Sequence, residues 1–485
     1  MQPGPARAAL LCLLPLVASD RNSSPPLHPS SRTGGVGAVG LHVGGVLGRV
    51  DPRYVSISYD ASFMRRRVDG RPLFNISDPR LHALLRELAP SILRIGGTAG
   101  DHWQFGGAPI VPNPAPAQFT VPPDVWDEIV TAFARRSNMQ LVVGLSSFTR
   151  DKRNRWNSTN AQGLAEYNLR RLGGRVVGYE LGNEPGLHLH PPYGKNSVNA
   201  SDETLAADYA SLQAMLRSVY AGSPTPRPLV IGPDADLMGD LKDFLKAGPE
   251  INVTSFHSSP FFSSCSVADL LSPHTIKLIR AKFNEYVPIH RRYAPRTPLW
   301  LGEGASDENR IKPDNCTGLH FAASFGYLQM LGALAQAGGK LFMRHTLDTL
   351  LSSHDWSPAP VYWVAVLWRR LMGVQVRNAT TASEEVVAFA HASASGSGTA
   401  VAVVNLASST MLLRNPTGIV SCTWRSEYIL SPTSGLNGSG SALNGVPLVA
   451  SPAGALPALA PRRVRCSASD AAALPPRTYG YLVYE

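Results

Sequence analysis

The chain has 485 residues, of which 44% are hydrophobic and 16% charged, and a formal net charge of +10. This length is too great for one small core and fits one large barrel with a smaller domain, and the composition excludes a disordered or collagen-like chain. The basic clusters at Arg65–Arg67, Arg150–Arg155 and Arg462–Arg465 are short and come with no nucleic-acid-binding motif. The charge therefore points to acidic glycans or membrane surfaces before nucleic acid, with plain solvated surface as the alternative for any single cluster.

At the N-terminus, Arg7 followed by the apolar run Ala8–Ala18 and small residues near Ser19 predicts a signal peptide over 1–19. No later run reaches the roughly 18 apolar residues of a membrane span. Eight N-x-S/T sequons, at Asn22, Asn75, Asn157, Asn199, Asn252, Asn315, Asn378 and Asn437, fit the same secretory route, to the extracellular matrix or the lysosome. Residues 20–36, rich in Ser, Pro and Gly, predict a flexible lead-in. Beyond Cys12 there are four cysteines, Cys265, Cys316, Cys422 and Cys466. Four allow two disulfides and three connectivities. Proximity along the chain favours Cys422–Cys466, and Cys265–Cys316 as its complement. No C-x-x-C or His/Cys cluster suggests a metal, and no cofactor motif is present.

Next comes a strand near Val39–Val46. Apolar runs then alternate with helical patterns. The runs are 55–60 (VSISYD), 92–97 (ILRIGG), 140–146 (QLVVGLS), 176–184 (VVGYELGNE), 229–235 (LVIGPDA), 252–258 (NVTSFHS), 298–304 (PLWLGEG) and 340–346 (KLFMRHT). Eight such β/α units over 50–375 predict a (β/α)8 TIM barrel, since buried parallel strands read as continuous apolar runs. An open doubly wound sheet is the rival, but no G-x-G-x-x-G fingerprint supports it. From 376 to 485, short strands split by Ser, Gly, Asn and Pro turns predict a β-sandwich, into which the strand at 38–48 can pair.

In such barrels the chemistry gathers at the C-terminal ends of the strands. Glu184 stands at the end of the fourth run and Glu303 at the end of the seventh, so both face one mouth. Two facing carboxylates are the equipment of glycoside hydrolysis. The two roles need different pKa values, so Glu184 is expected to be protonated as the acid/base and Glu303 ionised as the nucleophile. Strand alternation puts Glu180 on the same face as Glu184 but deeper, as a buried partner for a basic residue or backbone amides. Asn183 is a candidate for holding the sugar 2-hydroxyl. Asp60, Thr98, Asp101, Asp234, His257, Arg344 and His345 are further polar residues at strand ends, each with the competing role of satisfying buried backbone groups. Tyr362 opens the last helix and is read either as a sugar contact or as a packing residue.

These segments resemble heparanase and its relatives, the glycoside hydrolase family that includes endo-β-glucuronidases. YELGNEP (179–185) resembles the family's acid/base strand and PLWLGEGA (298–305) its nucleophile strand. WNSTNAQ (156–162), SISYDA, LAPSILRIGGT, FLKAG, YWVAVLWRRLMG and the tail segment EYILSPTSGLNGSGSALNGVPL are similar as well. The resemblance implies substrate contacts at Asp60, Thr98, Asn183 and Tyr362, with His257 retained from the sixth strand. The sequence departs from the family in three places. The stretch Asp101–Val125 is short and proline-rich where animal heparanase has an excised linker, the glycine-rich loop after the nucleophile is replaced by ASDENRIKPDN, and SFHSSPFF lacks a tyrosine. These departures put substrate preference in doubt. The partner implied is an acidic glycan, heparan sulfate or a related uronate polymer, with proteoglycans as the route to any peripheral association with a cell surface. An exo-β-glucuronidase and a non-catalytic heparan-sulfate-binding protein are the competing readings.

Overall fold

The computed structural model describes residues 37–66, 70–106, 119–188, 200–260, 266–305, 318–419, 422–467 and 470–485. The expected leader and lead-in, Cys265, Cys316, Asn22, Asn199 and Asn315 lie outside the described residues.

Eight parallel strands close into a barrel: β1 (Val55–Asp60), β2 (Ile92–Gly96), β3 (Gln140–Leu145), β4 (Val176–Leu181), β5 (Leu229–Ala235), β6 (Val253–Ser258), β7 (Leu299–Gly304) and β8 (Leu341–His345). The TIM-barrel expectation is borne out. Helices such as Pro79–Arg86, Thr159–Leu172, Asp202–Val219, His274–Tyr293 and Ala323–Ala337 connect the strands. Alternation along the strands builds the interior in layers. Ile92, Val142, Ile231, Val253, Trp300, Leu341 and Met343 form a buried apolar layer. Gly178 leaves room there, since a Cβ on it would lie 2.4 Å from Ile231 Cδ1. Two residues further along β2 and β4, Arg94 and Glu180 form part of a polar layer toward the C-terminal mouth.

Two irregularities re-aim side chains into that mouth. The β5–β6 register shifts after Ser255↔Pro233 to Phe256↔Ala235, so Asp234 is an extra residue, held at φ 59°. The β6–β7 register shifts between Phe256↔Leu301 and His257↔Glu303, so Gly302 is the extra residue. Both are bulges of the kind that turn a side chain to a new face beside a functional site.

The C-terminal region is a nine-stranded sheet. Its strands include Met372–Thr381, Val386–Ser393, Thr399–Asn405, Trp424–Pro432 and Thr478–Tyr484. Leu41–Arg49 pairs antiparallel with Met372–Thr381, which runs across the expected 375/376 boundary. A three-stranded sheet of Gly37–Val39, Met411–Arg414 and Ala471–Leu474 shares a second apolar core with it, through residues such as Val39, Leu413, Leu474, Val401 and Leu482. The large sheet's other face packs on the barrel's outer helices: Tyr481 Oη donates to Val364 O at 2.9 Å, and Phe389 fills the space over Gly332. Cys422 and Cys466 form a disulfide that joins Trp424–Pro432 to its neighbour Arg462–Arg465.

Candidate active site

Arg94 organises the barrel mouth. Its side chain is fully buried, and all five of its N–H groups are used. Nε donates to Glu180 Oε2 at 2.7 Å, Nη1 to Ser58 Oγ at 3.0 Å and Glu303 Oε2 at 2.9 Å, and Nη2 to Asn183 Oδ1 at 3.0 Å and Asp234 Oδ2 at 2.8 Å. Burial opposes the guanidinium charge, but Glu180, Asp234 and Glu303 more than offset it and hold the group protonated. Burial pushes the Glu180 carboxyl well above its usual range against Arg94's pull, with the like charge of Asp234 adding to the rise. Burial likewise works against the Asp234 carboxylate, yet Arg94 and His257 hold it below the ordinary range.

His257, on β6, stands between the two glutamates singled out in the sequence. Its Nδ1 lies 2.9 Å from Glu184 Oε1 and 3.9 Å from Glu303 Oε2, and its Nε2 is 3.6 Å from Asp234 Oδ1. Burial alone would discharge the imidazole, but Glu303, Asp234 and Glu184 raise its pKa to about 10. An imidazolium whose folded pKa lies above the ordinary 6.5 contributes stability that is complete below about pH 6.5 and is lost as pH rises through about 10. Wild-type urea midpoints should therefore fall between about pH 6 and about pH 9.5, and His257→Gln should flatten that slope. An unchanged slope would refute a charged His257.

Glu303 also meets His345, whose Nδ1 is 3.3 Å from Oε1. Glu184 differs from the expectation in one respect. Strand β4 stops at Leu181, and Glu184 sits beyond it at φ 47°, following Gly182 at φ 79°. A turn, not strand alternation, brings it beside His257. Asn183 is buried; its N–H donates to Asp101 Oδ2 at 2.9 Å, while Asp101 Oδ1 accepts from Ser147 N and Oγ at 2.7 and 2.8 Å. Asp236, after β5, adds a carboxyl near Glu184; burial first, then the charges of Glu184 and Asp240, raise it to about 7.

Asp60 ends β1, accepts from Ser62 N at 2.9 Å and packs against Gly97, which is at φ 72°. Thr98 is exposed beside it. Tyr362 requires a correction: it is fully buried, and its hydroxyl donates to Leu84 O at 2.8 Å, so it packs between its own helix and Pro79–Arg86 and is not offered to a substrate. Its place at the start of the last helix suggested the mouth, but its side chain lies on the helix face turned to the core. Among the sequons, Asn75, Asn378 and Asn437 are exposed and Asn157 is half-buried. Asn252 Oδ1 accepts from Val230 N and Gln213 Nε2 at 2.9 and 3.0 Å. Arg94 was not singled out in the sequence, although a charged residue inside the apolar run ILRIGG is a signal, since a buried charge demands partners.

Residues 117–332 match the description "Glycosyl hydrolase family 79, N-terminal domain". Heparanase of Mus musculus is 26% identical over 497 residues, covering 90% of each chain. Inactive heparanase-2 of Homo sapiens is also 26% identical, covering 90% of this chain and 86% of its own. Baicalin-beta-D-glucuronidase of Scutellaria baicalensis is 27% identical, covering 78% of this chain and 77% of its own. A solved 4-O-alpha-L-rhamnosyl-beta-D-glucuronidase from Fusarium oxysporum shares the fold, with a TM-score of 0.63 at 15% identity, over 92% of this chain and 100% of that one. A barrel mouth bearing two carboxylates bridged by a histidine agrees with these likenesses: residues 117–332 are similar to glycosyl hydrolase family 79, and the heparanase and β-glucuronidase relatives support a glucuronidase-type glycoside hydrolase.

Proposed function

We propose that the protein is a secreted, retaining β-glucuronidase that cuts uronate linkages within heparan-sulfate-like chains. Glu303 attacks the anomeric carbon while Glu184 gives its proton to the departing glycosidic oxygen, leaving a glycosyl ester on Glu303. Glu184 then takes a proton from water, whose oxygen replaces Glu303 at the anomeric carbon. The observation that carries this reading is the sharing of His257 by the two carboxylates. Glu184 Oε1 and Glu303 Oε2 cannot be farther apart than the sum of their distances to Nδ1, 2.9 and 3.9 Å, or about 6.8 Å. That bound lies below nearly all of the roughly 6.5–9.5 Å range of inverting enzymes and includes the roughly 5–5.5 Å of retaining ones. Arg94 Nη1 and His345 Nδ1 stand 2.9 and 3.3 Å from the two carboxylate oxygens of Glu303. The net charge of +10 suits a polyanion, and the leader and sequons support secretion.

Digestion of heparan sulfate with product sizing, alongside a small chromogenic β-glucuronide, tests the proposal. Shortening of the polymer with retained anomeric configuration is expected. Rapid turnover of the small glucuronide with no polymer cleavage would establish the exo reading, which the similarity to a plant glucuronidase favours. Salt-sensitive heparin binding without hydrolysis of any glucuronide would establish a non-catalytic binder, the reading that similarity to an inactive heparanase-2 keeps open.

A further inference from the structure

The cluster Arg150–Arg155 follows the C-terminal end of β3, so its loop stands on the same face of the barrel as Glu184 and Glu303. The base of the loop is fastened to the site: the Asp101 carboxylate that accepts from Ser147 also accepts from the backbone N–H of Asn183, the neighbour of Glu184. The loop itself has a built core. Arg150 Nη2 pairs with Asp208 Oδ2 at 2.7 Å, with side-chain exposures of only 6% and 4%. Trp156 N donates to Asp208 Oδ1 at 3.0 Å, and Trp156 Nε1 to Ser146 O at 2.9 Å. Across the tip, the Asp151 carboxylate accepts from Arg153 N at 2.8 Å, Arg155 N at 3.0 Å and Arg155 Nε at 2.9 Å.

The four cations of RDKRNR thus divide by role. Arg150 and Arg155 hold the loop together. Lys152 and Arg153 are exposed, and among the described residues no carboxylate pairs with either side chain. Two charges that no described carboxylate compensates, on a loop fastened by its own hydrogen bonds, are placed to make an electrostatic, salt-sensitive contact.

We propose that this loop is a subsite for a sulfated, uronate-containing glycan, with Lys152 and Arg153 taking sulfate groups on sugars beyond the one held between Glu184 and Glu303. The guanidinium of Arg153 suits a sulfate bidentately, and Lys152 acts as a point charge. The inference rests on the proposed glucuronidase reading. It predicts that the polymer gains affinity from the loop while a small glucuronide, too short to reach it, gains none.

The test compares wild type with Lys152→Glu/Arg153→Glu and with the milder Lys152→Ala/Arg153→Ala. The probes are a heparin-derived octasaccharide for binding, heparan sulfate for KM, and a small chromogenic β-glucuronide. The charge-reversed variant should bind the octasaccharide about tenfold more weakly at low salt, with the alanine variant between it and wild type and the gaps closing at high salt. KM for heparan sulfate should rise in step, with kcat and the small-glucuronide kinetics unchanged. Equal octasaccharide affinity in all three proteins would overturn the proposal, as would an equal loss on the small glucuronide. A wild type that turns over the small glucuronide yet binds no sulfated octasaccharide would also overturn it while sparing the glucuronidase reading. A wild type that hydrolyses no glucuronide would remove that reading instead, and the octasaccharide measurement would still decide the loop's role.

Discussion

Glu303→Gln should abolish hydrolysis of any β-glucuronide, lowering kcat/KM by about 10³-fold or more, because no group remains to form the glycosyl ester. Glu184→Gln should differ in kind. Loss of a general acid costs about 10²–10⁴-fold, but only where the leaving group needs a proton. With a nitrophenyl glucuronide, whose leaving oxygen is weakly basic, the Glu184 variant should still transfer glycosyl to Glu303 and then stall, since the water of the second step has lost its base. A burst of nitrophenol followed by slow turnover is the expected record. The Glu184 variant should keep the wild-type melting temperature within a few degrees, because an amide of nearly the same shape replaces its carboxylate, whereas the Glu303 variant also takes a charge from the buried Arg94 network and should melt somewhat lower while remaining folded. Undiminished activity in either variant would remove its assigned role. Equal residual rates with no burst from the Glu184 variant would remove the covalent mechanism.

The second large effect concerns Arg94, which touches no substrate in this reading but positions the groups that do. Arg94→Met leaves the fully buried Asp234 and the largely buried Glu303 without their shared cation. Removing one member of a buried ion-pair network costs about 3–5 kcal/mol, which a urea titration would read directly. Activity should fall as well, by about 10²-fold or more, because Glu303 and Asn183 lose the same tether. Arg94→Lys should rescue little, since a lysine ammonium has three donors and a single charge centre where five N–H groups are in use. Adding Asp234→Asn to Arg94→Met should recover part of the stability, because it removes an orphaned charge; a double-mutant cycle with no coupling between the two positions would contradict the network.

Much of the fold was legible because its physics is local. Each barrel strand is a short apolar run, and those runs matched the observed strands to within a residue or two at most ends. The largest discrepancy was the fourth, where YELGNE read as strand to Glu184 but ends at Leu181. Glycines and asparagine there carry no periodicity that separates strand from turn, and the positive φ values of Gly182 and Glu184 are set by what the turn packs against. Glu180 was legible as a buried partner because its alternation with Gly178 and Val176 is intact. Tyr362 was misplaced toward the mouth because an apolar helix such as PVYWVAVLW has no polar face to show which side is turned inward.

By itself, the sequence determined the barrel, the appended sheets, the two glutamates and the excess of positive charge. These follow from hydrophobic period, from position along a strand and from composition, all of which act over a few residues or over the whole chain at once. Only the tertiary structure decided which polar residues meet. Arg94 and Asp234 are 140 positions apart, and no local pattern encodes their pairing. The bulges that turn Asp234 and Glu303 into the mouth depend on the register between neighbouring strands, which is fixed by packing across the whole sheet. The same long-range closure divided the basic loop into two cations that hold it and two that no carboxylate pairs among the described residues, a distinction that six consecutive letters could not show.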